Sequence, residues 1–121
     1  MNGLAASAVR LFVVDLAPAV DFYRDRLGMP LLASGDGYAV FDAGTIRLVV
    51  ERGHVDERGQ PLVGRFTGLS LRSSDVHRDH ARLRALGVRL LGEPEVQPWG
   101  GTLVTFEDPS GNALQLVQYP E

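Results

Sequence analysis

Between residues 103 and 118 apolar and polar side chains alternate twice, in Leu-Val-Thr-Phe-Glu and in Ala-Leu-Gln-Leu-Val-Gln, on either side of Asp108-Pro109-Ser110-Gly111-Asn112. Period-two alternation marks a half-buried strand. The interruption carries turn chemistry: Pro presets φ, Gly accepts positive φ, and Asp and Asn bond nearby backbone. The pattern predicts a β-hairpin. Residues 38–51, Tyr-Ala-Val-Phe-Asp-Ala-Gly-Thr-Ile-Arg-Leu-Val-Val-Glu, repeat the design around a shorter turn.

The remaining segments complete two similar halves. Residues 1–7 are small and weakly patterned, the mark of a frayed start. Residues 8–16 read as a strand with Val9, Leu11 and Val13 on one face and Ala8, Arg10, Phe12 and Val14 on the other. Asp15 marks an N-cap region and Pro18 suits a first helical turn. A helix is therefore predicted over about 18–27, with a stripe of Val20, Phe22 or Tyr23, and Leu27, stopped at Gly28. A strand at 31–33 and a turn at Gly35-Asp36-Gly37 lead into the first hairpin. Residues 53–65 lack periodicity and read as a linker. Phe66 to Arg72 then alternate as a strand, and Ser73 or Ser74 caps a second helix whose stripe is Val76, Leu83 and Leu86. Gly87 ends that helix, and residues 88–91 form the next strand.

Overlaid, the halves match Asp15 with Asp75, Leu27-Gly28 with Leu86-Gly87, Phe41 with Phe106, and Ile46-Arg47-Leu48 with Leu114-Gln115-Leu116. The expected architecture is α+β: one domain, 1–121, of two tandem β-α-β-β-β modules at about 8–52 and 66–119, joined by the linker. Curved sheets face a shared cleft and the helices cover the outer faces.

Bulk properties narrow the function. A chain of 121 residues buries roughly two-thirds of its unfolded surface without a covalent staple. Cysteine is absent, which removes disulfides and thiolate chemistry and suits a reducing cytoplasm. No apolar run approaches the ~20 residues that span a bilayer, so no membrane partner is expected. A net charge of −3 with scattered Arg argues against nucleic acid.

Five motifs in order carry a resemblance: Val14-Asp15-Leu16, Asp21-Phe22-Tyr23, Leu27-Gly28, Pro98-Trp99-Gly100-Gly101, and residues 106–116, Phe-Glu-Asp-Pro-Ser-Gly-Asn-Ala-Leu-Gln-Leu. Together they resemble the vicinal oxygen chelate superfamily, which includes glyoxalase I, extradiol dioxygenases and bleomycin-resistance proteins. The resemblance implies the fold above, a two-fold homodimer and, in the metalloenzymes, a divalent ion held by His and carboxylate ligands. Carried over, the ligand positions fall on Ala8, on Arg47 (or Leu48 if the register slips), on Phe66 and on Gln115. Methyl and phenyl groups offer no lone pair, Arg repels a cation, and a lone Gln carbonyl is a weak ligand. Neither a metal nor any other cofactor is therefore expected.

The histidines change little. His77 and His80 lie three apart on the second helix, a spacing that could share a metal, but without a carboxylate partner they read as surface residues. His54 opens the linker near Glu51 and Asp56 as a solvated residue, a general base or a relocated ligand.

Alternation places a largely apolar set on the concave faces, the composition of a small-molecule pocket. The ligand-binding candidates are Phe12, Tyr38, Arg47, Glu51, Phe66, Trp99, Thr105 and Gln115. Trp99 either stacks on a planar or cationic ligand or plugs the neighbouring strand. Arg47 pairs with an anionic ligand group or with Glu51. Gln115 orients a ligand or satisfies a neighbour. The expected function is metal-free binding of a small organic ligand by a cytoplasmic homodimer of the bleomycin-resistance type, with no catalytic residues. The alternative is a metal-dependent lyase, isomerase or dioxygenase with ligands relocated to residues such as Glu51 and His54.

Overall fold

The computed structural model describes residues 3–121, so the expected frayed start falls partly, at Met1 and Asn2, outside the described residues. Ser7 is already tied to the first sheet, its carbonyl accepting from the Arg47 N–H at 3.0 Å. The chain divides into two compact units, Met1–Val63 and Gly64–Glu121.

The first unit runs β1 (Ala8–Val13), α1 (Leu16–Val20) continued by a π-helical segment (Asp21–Arg26), β2 (Leu31–Gly35), β3 (Tyr38–Asp42) and β4 (Arg47–Arg52). The second runs β5 (Phe66–Arg72), α2 (Val76–Ala85), β6 (Arg89–Val96), β7 (Thr102–Glu107) and β8 (Ala113–Gln118). Strand orders are β1-β4-β3-β2 and β5-β8-β7-β6. In each sheet the first and last strands of the unit pair in parallel and the other pairs are antiparallel. One topology occurs twice, and the class is α+β as expected.

In the first unit the residues buried on the helical side are those the alternation assigned. Leu11, Val13, Ala39, Phe41, Leu48 and Val50 pack with Ala19, Phe22 and Tyr23, none more than 4% exposed. The sequence left Phe22 and Tyr23 as alternatives for one stripe position; both are buried. The reason is the π-helical turn. Leu27 N–H donates to Phe22 O at 3.0 Å, an i→i−5 bond whose wider turn lets two consecutive rings face the sheet. The rings meet edge to face at 5.0 Å, and Tyr23 reaches Phe41 at 5.8 Å. Asp15 precedes the helix but makes no side-chain cap bond. β1 stops at Val13, not Leu16, and Val14 is 48% exposed.

In the second unit the cap of α2 is Asp75, whose carboxylate accepts from Arg78 N–H at 3.0 Å, rather than Ser73 or Ser74. Ser73 is buried and donates to Asp79 at 2.6 Å while accepting from Asp75 N–H at 3.1 Å. The helical stripe is Val76, His80 and Leu83; Leu86 lies past the last helical residue and is 43% exposed. His80 is thus a core residue, its Nε2 bonded to Gly92 O at 2.9 Å, not the surface residue expected. β6 extends to Val96, with a register shift between Leu91 and Glu95.

The turn motif 108–112 is structural. Asp108 accepts from the N–H groups of Ser110 and Asn112, both at 2.9 Å, and from Asn112 Nδ2 at 3.0 Å. Asn112 Oδ1 in turn accepts from Gly64 N–H at 2.9 Å and Arg65 N–H at 3.3 Å, pinning the start of β5 to the hairpin. The linker is also ordered: Val55 bridges Pro61, and Asp56 accepts from Arg58 and Gln60 N–H groups at 2.8 and 2.9 Å.

Register corrects one detail of the overlay. Phe41 faces Leu48 and Phe106 faces Leu114, so Leu48 corresponds to Leu114 and Val49, not Arg47, to Gln115. The sequence overlay slipped by two because both hairpins repeat an apolar residue at every second position.

Candidate ligand-binding site

Each sheet buries one face under its helix and keeps the other free of it. On that open face of the first unit, parallel pairing of β1 with β4 sets Ala8 beside Arg47, Arg10 beside Val49, and Phe12 beside Glu51. Tyr38 of β3 extends the last row, opposite Glu51. Four of the expected residues are thereby on one face: Phe12, Tyr38, Arg47 and Glu51. Leu48 is fully buried on the helical face, which removes the alternative register for Arg47.

Arg47 does not pair with Glu51. Arg10 takes that carboxylate through Nε and, at 3.1 Å, through Nη2, a two-point grip that strand geometry allows because the two residues are diagonal neighbours. The hydrogen bond from Arg10, helped by its charge, holds the Glu51 carboxyl below the ordinary glutamate range despite some opposing desolvation. Arg10 also lies over the Phe12 ring at 5.2 Å. Phe12 rests on Gly53, where an added Cβ would meet its Cδ1 at 3.0 Å, and Tyr38 lies across Gly35 in the same way. Beside this cluster a recess of about 560 Å³ is lined by Arg10, Phe12, Val55, Asp56, Glu57, Arg58 and Leu62.

On the open face of the second unit a row crosses three strands: Ser70, Gln115 and Thr105. Gln115 Nε2 donates to Thr105 Oγ1 at 3.3 Å, so one of its two functions is engaged within the sheet. Phe66 begins β5 and is 65% exposed. β5 does not alternate cleanly there: register shifts between Phe66 and Ser70, with Thr67 Oγ1 donating to Ala113 O at 2.8 Å. Trp99 stands in the β6–β7 turn, 52% exposed and laid flat on Gly101, where a side chain would overlap its ring. Its neighbour is Tyr119 at 5.9 Å, and Arg72 covers the other ring contact of Tyr119 at 5.0 Å. The expected set omitted Tyr119. The signal was present, since period two carries Gln115 and Val117 on to Tyr119.

The ligand positions of the metalloenzymes fail a test of donor chemistry here. The open-face pairs of β1 with β4 and of β5 with β8 are Ala8–Arg47, Arg10–Val49, Phe12–Glu51, Phe66–Ala113, Ser70–Gln115 and Arg72–Val117. They contain no imidazole and a single carboxylate, Glu51, which Arg10 already grips. A divalent cation needs several neutral or anionic donors on one site, and the arginines here oppose it. Among the described residues no group of three His, Asp or Glu side chains gathers as a metal site would require. His54 and His77 are exposed, and His80 Nδ1 faces Glu93 at 3.8 Å from within the core. No described helix is long and apolar enough to cross a membrane.

Two four-stranded sheets of identical topology, each with its helical layer on one face, define the class of duplicated β-α-β-β-β proteins. Within that class the chain belongs to the Glyoxalase/Bleomycin resistance protein/Dioxygenase superfamily, whose model matches residues 5–116. It is similar to the structure of TnmS3, an antibiotic-binding protein from Streptomyces sp. CB03234, at 32% identity and a TM-score of 0.81, covering 99% of each chain. It is 26% identical to a bleomycin resistance protein of Klebsiella pneumoniae, over 86% of this chain and 84% of that one. It is 28% identical to a probable lactoylglutathione lyase of Synechocystis sp., over 88% of each.

Proposed function

We propose that the protein binds a small organic molecule with an aromatic part, an antibiotic or a metabolite, without a metal ion and without chemical turnover. The observation that carries this reading is the donor set just described: where metalloenzyme relatives would need imidazole and free carboxylate, this chain offers methyl, phenyl, guanidinium and amide groups. Such groups hold a molecule by stacking, shape and a few hydrogen bonds. Phe12, Tyr38, Phe66 and Trp99 supply rings; Arg47, Glu51, Thr105 and Gln115 supply polar anchors. The likeness to an antibiotic-binding protein and a bleomycin resistance protein supports the same reading.

The likeness to a lactoylglutathione lyase favours a second reading, a metal-dependent lyase, isomerase or dioxygenase with relocated ligands. Glu51 would have to leave Arg10 to serve it, which weighs against that reading. The protein acts as a cytoplasmic homodimer in this proposal. Absence of cysteine suits a reducing compartment, and exposed apolar side chains such as Phe66 and Val96, 65% and 75% exposed, suit burial against a second copy.

Elemental analysis of protein purified without chelator, followed by a thermal-shift screen of aromatic drugs and metabolites, tests the proposal. The expected result is no stoichiometric divalent metal, together with ligands that raise the melting temperature and quench the single tryptophan. Stoichiometric metal whose removal abolishes turnover of a substrate overturns it.

A further inference from the structure

Three open-face arginines differ in what they touch. Arg10 is spent on Glu51. Arg47 stands opposite Asp42 across the β3–β4 pair. Arg72 lies over the ring of Tyr119, and among the described residues no carboxylate lies within ion-pair distance of it. The nearest acid in its row is Glu95, reached through Val117 and Leu103. Three strand spacings separate the two, about 14 Å.

The guanidinium therefore belongs to a ladder of flat groups. Arg72, Tyr119 and Trp99 follow one another at 5.0 and 5.9 Å, the two rings tilted by 43° to each other and both about half exposed. Their positions are fixed by backbone. Tyr119 continues the alternation of β8 two residues past Val117, the partner of Arg72. The β6–β7 turn closes through Gln97 N–H to Gly101 O at 2.7 Å, and Gly101 has no side chain to lift the indole away. A stacked guanidinium keeps its in-plane N–H donors available at the edge, which suits two-point binding of a carboxylate. Arg72 is exposed at the end of β5, so an incoming anion can reach those donors.

We propose that this ladder is the anchoring subsite for a planar aromatic carboxylate: its ring stacks on Trp99 beside Tyr119, and its carboxylate is held by the edge of Arg72. The assignment rests on the small-molecule-binding function proposed above and adds the charge and shape of the ligand.

The test compares anthraquinone-2-carboxylate with anthraquinone-2-carboxamide, read by Trp99 emission and by calorimetry on the full chain. The carboxylate should bind about tenfold more tightly than the amide, the scale of one charge-assisted contact. Arg72→Gln should bring the carboxylate down to the amide and leave the amide unchanged; Arg72→Lys should restore part of the preference. Added salt should weaken the carboxylate alone. Arg24→Gln, which removes the same charge from the first unit, should leave the preference intact. Equal binding of the two probes, or a preference that survives Arg72→Gln, overturns the assignment of the anion while leaving the binding function standing. Binding of neither overturns the assignment also, and the thermal-shift screen then decides the binding function separately.

Discussion

Glu51 shows how one contact changes what a residue can do. Alternation placed it on the open face, but the diagonal grip of Arg10 makes it a fixed anion rather than a spare ligand. Because the contact lowers the folded carboxyl pKa, its stabilisation is full above the ordinary glutamate range and fades as pH falls through the folded value. Wild type should therefore exceed Glu51→Gln in urea midpoint at neutral pH. The difference should close in strongly acidic buffer, which paired urea titrations would check; a gap that persists there contradicts the ion pair. Gly101 is the second residue whose chemistry is decided by a neighbour. Gly101→Ala places a methyl inside the volume of the Trp99 ring. The indole should swing toward solvent, moving Trp99 emission to the red and weakening aromatic ligands about three- to tenfold, the loss of one stacking contact.

The elements divide by what their sequence could say. Hairpins, strands and the glycine stops of both helices were legible, since Gly28 and Gly87 do sit at φ of 78° and 81° and the alternating runs do form strands. The π-helical turn was not, because nothing in a stripe read at 3.6 residues per turn announces that Phe22 and Tyr23 will both be buried. The second stripe departs from expectation for a related reason: apolar identity favours Leu86, whereas helical spacing from Val76 leads to His80 and Leu83. Leu83→Ala should cost about 3 kcal/mol, whereas Leu86→Ala should cost well under 1 kcal/mol, by denaturant titration. The turn motif makes a matching claim. Asn112→Ala strips two backbone donors of their acceptor and releases Asp108, so a loss of about 2–3 kcal/mol is expected, with faster amide exchange at Gly64 and Arg65.

For the molecule as a whole, repetition in the sequence foretold repetition in the fold, down to the strand orders of the two sheets. The proposed homodimer predicts a mass near twice 13.1 kDa by light scattering. Phe66→Asp should shift it toward one copy if that exposed ring is covered by the second chain. Less of the candidate site could be read. Alternation named the open-face residues, because period two needs only local geometry. It could not say which of three arginines meets Glu51, or that Tyr119 would join Trp99 and Arg72.

The sequence by itself determined the strands, the duplicated topology and the family, all of which follow from local patterning and residue identity. Tertiary structure alone decided the partners. Register fixed Val49 rather than Arg47 as the counterpart of Gln115, diagonal pairing gave Glu51 to Arg10, and the β6–β7 turn brought Trp99 to Tyr119. Such pairings depend on how strands far apart in the chain are aligned, and a one-dimensional pattern does not record that alignment.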